Sequence, residues 1–131
     1  MRYLLDANVV IALLNDTTSK PARRARREKL SDIAVSAIVF HELFFGAYKS
    51  ARVARNLVAA DALQFAVVDF DKEDARHAGR VRAELKANGI PVGAYDVLIA
   101  GQALARNLIL VTHNQREFKR VAGLRVEDWE A

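Results

Sequence analysis

Short apolar runs alternate with segments of helical periodicity along this chain. Arg2–Leu5 is a brief apolar run that stops at Asp6, and Ala7–Leu14 follows with Val9, Val10, Leu13 and Leu14 at helical spacing. Asn15–Ser19 is a loop by composition, and Pro21 suits the first turn of a charged helix through about Leu30. Ile33–Val35 reads as a second strand, and Ser36 as the N-cap of a helix through about Tyr48. A further helix over Ala51–Leu63 leads to a third strand, Phe65–Val68. Asp71–Ala87 is helical and ends at Asn88-Gly89, with Pro91 just beyond as a stop signal. Tyr95–Arg106 is a helix that is apolar almost all round. Leu108–Thr112 and Leu124–Val126 are the last two strands. Strands alternating with helices predict βαβ units: an α/β/α sandwich with a short parallel central sheet and helices on both faces.

Composition narrows the classes. The chain has 131 residues, which predicts a single domain over residues 1–131. Hydrophobic residues make up 52% and charged residues 27%, a globular balance and not a disordered one. There is no cysteine, so disulfides, thiol nucleophiles and thiolate metal sites are excluded. No apolar run approaches the ~20 residues of a membrane span. Asp6 arrives too early for a signal-peptide core, so a soluble cytoplasmic protein is expected. A net charge of +4 is compatible with a nucleic-acid partner without pointing to one.

Ligands of open α/β sheets bind outside the carboxyl ends of the strands. Three acids fall near that rim. Asp6 follows the first strand and reads either as a helix cap or, with Asn8 on the same turn, as an oxygen ligand. Glu42 shares a helix face with Ile38 and Phe45, where a lone carboxylate needs a partner or a route to solvent. Asp96 enters the apolar helix, as a first-turn acid or as a site residue. If the three converge, their mutual repulsion calls for a counter-charge, and Mg²⁺ or Mn²⁺ prefers such oxygen donors. His41, His77 and His113 show no metal-ligand spacing, and the six glycines form no phosphate-binding loop. Lys20, Arg23, Arg24, Arg26, Arg27 and Lys29 concentrate positive charge around Glu28. Such a run is a solvated helix face, a contact for nucleic-acid phosphates or one for an acidic protein. Few aromatic residues interleave with it, so base stacking is not signalled there.

Four motifs in order carry a resemblance that covers essentially the whole chain. Tyr3-Leu4-Leu5-Asp6-Ala7-Asn8, Ser36 to Gly46 around Glu42, Tyr95-Asp96-Val97-Leu98-Ile99-Ala100 and Val111 to Phe118 resemble the PIN-domain family. More narrowly they resemble the VapC toxins of bacterial toxin–antitoxin systems, as does the tail Val121–Trp129. The resemblance implies a Mg²⁺- or Mn²⁺-dependent endoribonuclease with Asp6, Glu42 and Asp96 as catalytic and metal-binding acids. For the fourth acidic position it leaves Asn114 and Glu117, with Asn8 and Thr112 beside them. It also implies a homodimer and a separate antitoxin chain through which alone DNA is bound. Arg23, Arg24, Arg26, Arg27 and Arg116 are then candidates to grip the RNA backbone. Phe44, Phe45 and Tyr48 are candidates for a dimer surface.

Two other classes stay open at this stage. One is an aspartyl-nucleophile phosphohydrolase, although Asn8 stands where such enzymes carry a second Asp. The other is a non-catalytic, receiver-like protein-binding module. Receivers bring a late lysine, whereas here Thr112 is followed by His113 and Asn114.

Overall fold

The computed structural model describes residues 1–131. Its elements follow one another as β1 (Tyr3–Leu5), α1 (Ala7–Asn15), α2 (Lys20–Arg27), β2 (Ile33–Ser36), α3 (Ala37–Tyr48), α4 (Val53–Asp61), β3 (Ala66–Val68), α5 (Lys72–Ala87), α6 (Ala94–Ala105), β4 (Ile109–Val111), α7 (Gln115–Phe118) and β5 (Val126–Glu127). A single 3₁₀ turn, Leu30–Asp32, precedes β2. The five strands form one parallel sheet in the order β3-β2-β1-β4-β5.

The strands are too short to be set by propensity, and burial sets them instead. Successive strand side chains point to opposite faces, yet all of Tyr3, Leu4 and Leu5 and all of Ile33–Ser36 are buried. Both faces of the central strands are therefore covered, as in an α/β/α sandwich. Val10, Val39, Val81, Ile99 and Phe118 bring helical side chains to the same core.

Helix ends follow the expected chemistry. Ser36 accepts the Ile38 N–H at the start of α3, and Ser19 accepts the Ala22 N–H at the start of α2. Asp71 and Asp74 form a reciprocal capping box on α5. Gly89 closes α5 with φ 68°, in the left-handed region where a Cβ is costly.

Some boundaries differ from the sequence reading. The charged helix ends at Arg27, not near Leu30, because Glu28 turns extended and receives Arg24 (3.0 Å) across the last turn. The Ala51–Leu63 segment is helical only over Val53–Asp61. The last strand is shifted to Val126–Glu127, where it pairs with Leu110 and Val111. The short helix α7 was not anticipated, since four residues carry no readable period.

Two polar knots fix the layers. Buried Asp74 receives Arg106 Nη2 (3.0 Å) and Gln102 Nε2 (3.0 Å), tying α6 and the residue after it to α5. Burial alone would raise the Asp74 pKa, but these bonds and the Asp71 cap hold it below the usual carboxylate range. In the second, Arg24 reaches Glu127 (3.5 Å) and lies over the Trp129 ring, which packs edge-on against Tyr3. No helix is long and apolar enough to cross a membrane.

Candidate active site at the carboxyl edge of the sheet

The chain builds β1, β2 and β3 outward in one direction, then returns to add β4 and β5 on the other side of β1. The crevice of such a sheet opens where the order reverses, between β1 and β4. Leu5 pairs with Val111, so Asp6 and Thr112 leave adjacent strands side by side.

Asp6 is buried. Its Oδ1 accepts the Ala7 N–H (2.8 Å) and its Oδ2 accepts the Thr112 hydroxyl (2.8 Å). It is thus both the cap of α1 and a fixed carboxylate facing the crevice; the two readings of its sequence position are compatible. Thr112 Oγ1 in turn accepts the Asn114 N–H (3.0 Å). Asn114 Nδ2 donates to Glu117 Oε2 (2.6 Å), and Glu117 Oε1 accepts the Gly93 N–H (3.2 Å) at the mouth of α6. A continuous chain of bonds therefore runs from Asp6 to the start of the helix that carries Asp96.

The carboxylates sense one another. Burial pushes the Asp6 pKa up, against the lowering effect of the Thr112 and Ala7 bonds, and the Glu117 charge adds to the rise. Glu42 is raised by burial and then by the charges of Asp6 and Asp96. Asp96 is pushed up to about 6 by burial, then by Asp6 and Glu117. The structure thus brings Asp6, Glu42, Asp96 and Glu117 into one electrostatic cluster. Hydrogen bonds play no part in the raised values of Glu42 and Asp96, and no Lys or Arg offsets the charge on any of the three raised acids. A Cβ at Gly93 would lie 3.1 Å from Asp96 Oδ2, a tight contact that the carboxylate would have to relieve by a small shift.

This has a consequence for pH. Each raised acid favours its protonated form in the fold. The resulting stability is full below about pH 4 and is lost as pH rises through the folded values, about 6 for Asp96. Asp74, held low, stays ionised across that window and adds no slope. In chelator, the melting temperature is expected to be lower at pH 8 than at pH 5. Asp96→Asn should flatten that slope, and an identical slope in the variant would contradict the electrostatic account.

The remaining candidates divide. Asn8 is exposed on α1, at the mouth of a cavity of about 500 Å³ lined also by Thr112, His113, Asn114 and Glu130. Of the basic candidates, Arg24 is half-buried on Glu28 and Glu127, and Arg26 donates to the Thr17 carbonyl (2.7 Å). Arg23, Arg27 and Arg116 are exposed. Phe45 and Tyr48 are exposed on α3, whereas Phe44 is half-buried against Phe40. One grouping escaped the sequence reading. His113 Nδ1 lies 3.0 Å from Asp128 Oδ2 and 3.1 Å from Glu130 Oε2. No local spacing announces it, because the pairing of β5 with β4 is what delivers the tail to His113.

The chain also matches known proteins in sequence and in fold. Residues 3–124 fit the PIN domain, and the chain belongs to the PIN-domain family. Within that family it stands with the VapC ribonucleases. It is 41% identical to the tRNA(fMet)-specific endonuclease VapC of Shigella flexneri, over 98% of each chain. It is 37% identical to ribonuclease VapC2 of Haemophilus influenzae, again over 98% of each. The crystal structure of DNA-bound VapBC from Salmonella typhimurium contains a chain that superposes with a TM-score of 0.93 at 39% identity, over 98% of both chains. The parallel α/β sandwich expected from the sequence is the fold of this family.

Proposed function

We propose that this chain is the ribonuclease toxin of a toxin–antitoxin pair, and that Asp6, Glu42 and Asp96 form its catalytic, metal-binding centre. The observation that carries this reading is the convergence of those acids with Glu117 at the sheet's switch point, with raised pKa values and no basic residue to balance them. An all-oxygen anionic donor set fits a hard divalent cation such as Mg²⁺ or Mn²⁺. Bound there, such an ion supplies Lewis-acid stabilisation of a phosphodiester and acidifies a water molecule.

The chain's own groups divide the remaining work. Asp6 is fixed by two hydrogen bonds and acts as the rigid post of the site. Glu42 and Asp96 have lone pairs left for the cation and for the attacking water. A carboxylate oxygen not taken up by the cation would be placed to accept a proton from that water. Glu117 fills the fourth acidic position, and Asn114 holds it in place without adding charge. Arg23, Arg27 and Arg116, exposed and cationic, hold RNA phosphates outside the cluster. Arg24 has a lesser part, being committed to Glu28 and Glu127.

Relatives named for tRNA(fMet) cleavage support the same substrate here. The similarity to DNA-bound VapBC supports an antitoxin partner that carries the DNA contacts. Exposed Phe45 and Tyr48 suit a contact between two copies of the chain. The test is to incubate the purified, partner-free chain with tRNA(fMet), elongator tRNAs and ribosomal RNA in Mn²⁺. A discrete cut confined to tRNA(fMet) is expected. Cutting of ribosomal RNA with tRNA(fMet) left intact would overturn the substrate assignment.

A further inference from the structure

The residues just before Glu42 and Asp96 are His41 and Tyr95, and both are exposed. Consecutive helical residues project about 100° apart, so acids that face the crevice leave their predecessors on its margin. The two predecessors meet there. The His41 and Tyr95 rings lie 5.3 Å apart, inclined at 53°, bridging α3 and α6 beside the acidic cluster. Tyr95 keeps 47% of its surface open to solvent, a large ring at the site's edge that the core does not use.

The cluster also poses a binding problem that these rings answer. Its carboxylates repel the phosphate backbone they would have to approach, and the basic helix α2 offers no aromatic side chain. A cation and the exposed arginines offset that repulsion but hold phosphates and not bases, so contact with a base must come from another group. Base–aromatic stacking supplies it, and proteins commonly read single-stranded RNA by stacking unpaired bases on Tyr and His rings.

We propose that Tyr95, backed by His41, is a stacking platform that seats one unpaired nucleobase adjacent to the scissile phosphate. This rests on the ribonuclease reading above and adds a positioning site to it. Because every base has a π face, the platform senses that a base is present and extruded, more than which base it is. Discrimination among RNAs then includes a structural requirement for an unpaired nucleotide beside the cut.

The test uses short single-stranded oligoribonucleotides spanning the mapped cut, intact or with one nucleotide at a time made abasic. Binding is read by fluorescence anisotropy in chelator, and cleavage as kcat/KM in Mn²⁺. For the wild-type chain, one abasic position next to the cut is expected to weaken binding by about tenfold or more. Tyr95→Ala should weaken binding of intact RNA by a similar factor and become indifferent to that abasic position. Tyr95→Phe and Tyr95→Trp should keep the wild-type pattern. His41→Ala should give a smaller loss with the same pattern. The melting temperature of Tyr95→Ala should match wild type, since the ring is exposed. Wild-type binding of intact RNA by Tyr95→Ala, or an undiminished abasic penalty in that variant, would overturn the platform while leaving the ribonuclease intact. Absence of cleavage of any RNA by the wild-type chain would remove the ribonuclease reading and the platform with it.

Discussion

Asp6→Asn is expected to abolish RNA cleavage and to leave the protein at least as stable as before. Asn keeps an oxygen for the Ala7 N–H, its Nδ2 can donate to the Thr112 oxygen where the carboxylate accepted the hydroxyl, and Asn caps helices as well as Asp does. What it removes is a buried negative charge whose pKa the fold raises, so the metal-free folded state loses a repulsive term. The chemical consequence is the reverse. The rigid anionic post of the proposed cation site is gone, and Lewis-acid stabilisation worth several kcal/mol goes with it. A fall in cleavage rate of about a hundredfold or more should follow. Rates measured on tRNA(fMet) alongside melting curves check both halves. Full activity in a folded Asp6→Asn protein would show that the site lies elsewhere.

Gly101→Ala is expected to be the most damaging single change away from the site. A Cβ at Gly101 would fall 2.4 Å from the Cα and N of Ala78 and 2.6 Å from its Cβ. Two of these three atoms are backbone, so rotamer changes cannot relieve the clash and α5 must move away from α6. Overpacking of this kind costs about 3 kcal/mol, at the upper end of the usual range. The Asp74–Gln102–Arg106 knot joins the same two elements and resists the shift. A loss of about 10 °C in melting temperature is the expected reading. Because α6 also carries Asp96, the surviving folded fraction should be impaired in catalysis. An unchanged melting temperature would mean that the two helices do not approach as described.

Much of the architecture was legible in the chain, for physical reasons. Strands buried on both faces are continuous apolar runs, and Leu4–Leu5, Ile33–Val35 and Leu110–Val111 stand out as such. Ser36, Asp71 and Gly89 mark helix ends through side-chain oxygens and positive φ, which are local properties. Asp6 could be singled out because it ends an apolar strand, and Glu42 and Asp96 because each interrupts an apolar helical pattern where a carboxylate is costly.

The rest depends on neighbours in space. Thr112 touches Asp6 only because β4 pairs with β1, and sequence spacing does not encode that register. Glu117 was one of two candidates for the fourth acid; its bond to the Gly93 N–H ties it into the cluster. Arg24 belongs to a run that reads as uniformly solvated, yet Glu127 and Trp129 from the far end of the chain claim it. His113 acquires Asp128 and Glu130 through the same long-range pairing.

An acid cluster that holds a divalent cation and cuts RNA must lose cleavage both with the metal and with its carboxylates. The most direct test is RNA cleavage followed across a Mn²⁺ titration, with the wild-type chain and Asp96→Asn side by side. Discrete fragments that grow with Mn²⁺ and vanish in chelator are expected from the wild type, and none from a fully folded Asp96→Asn protein. Cleavage that needs no metal, or that persists in Asp96→Asn, would contradict such a site.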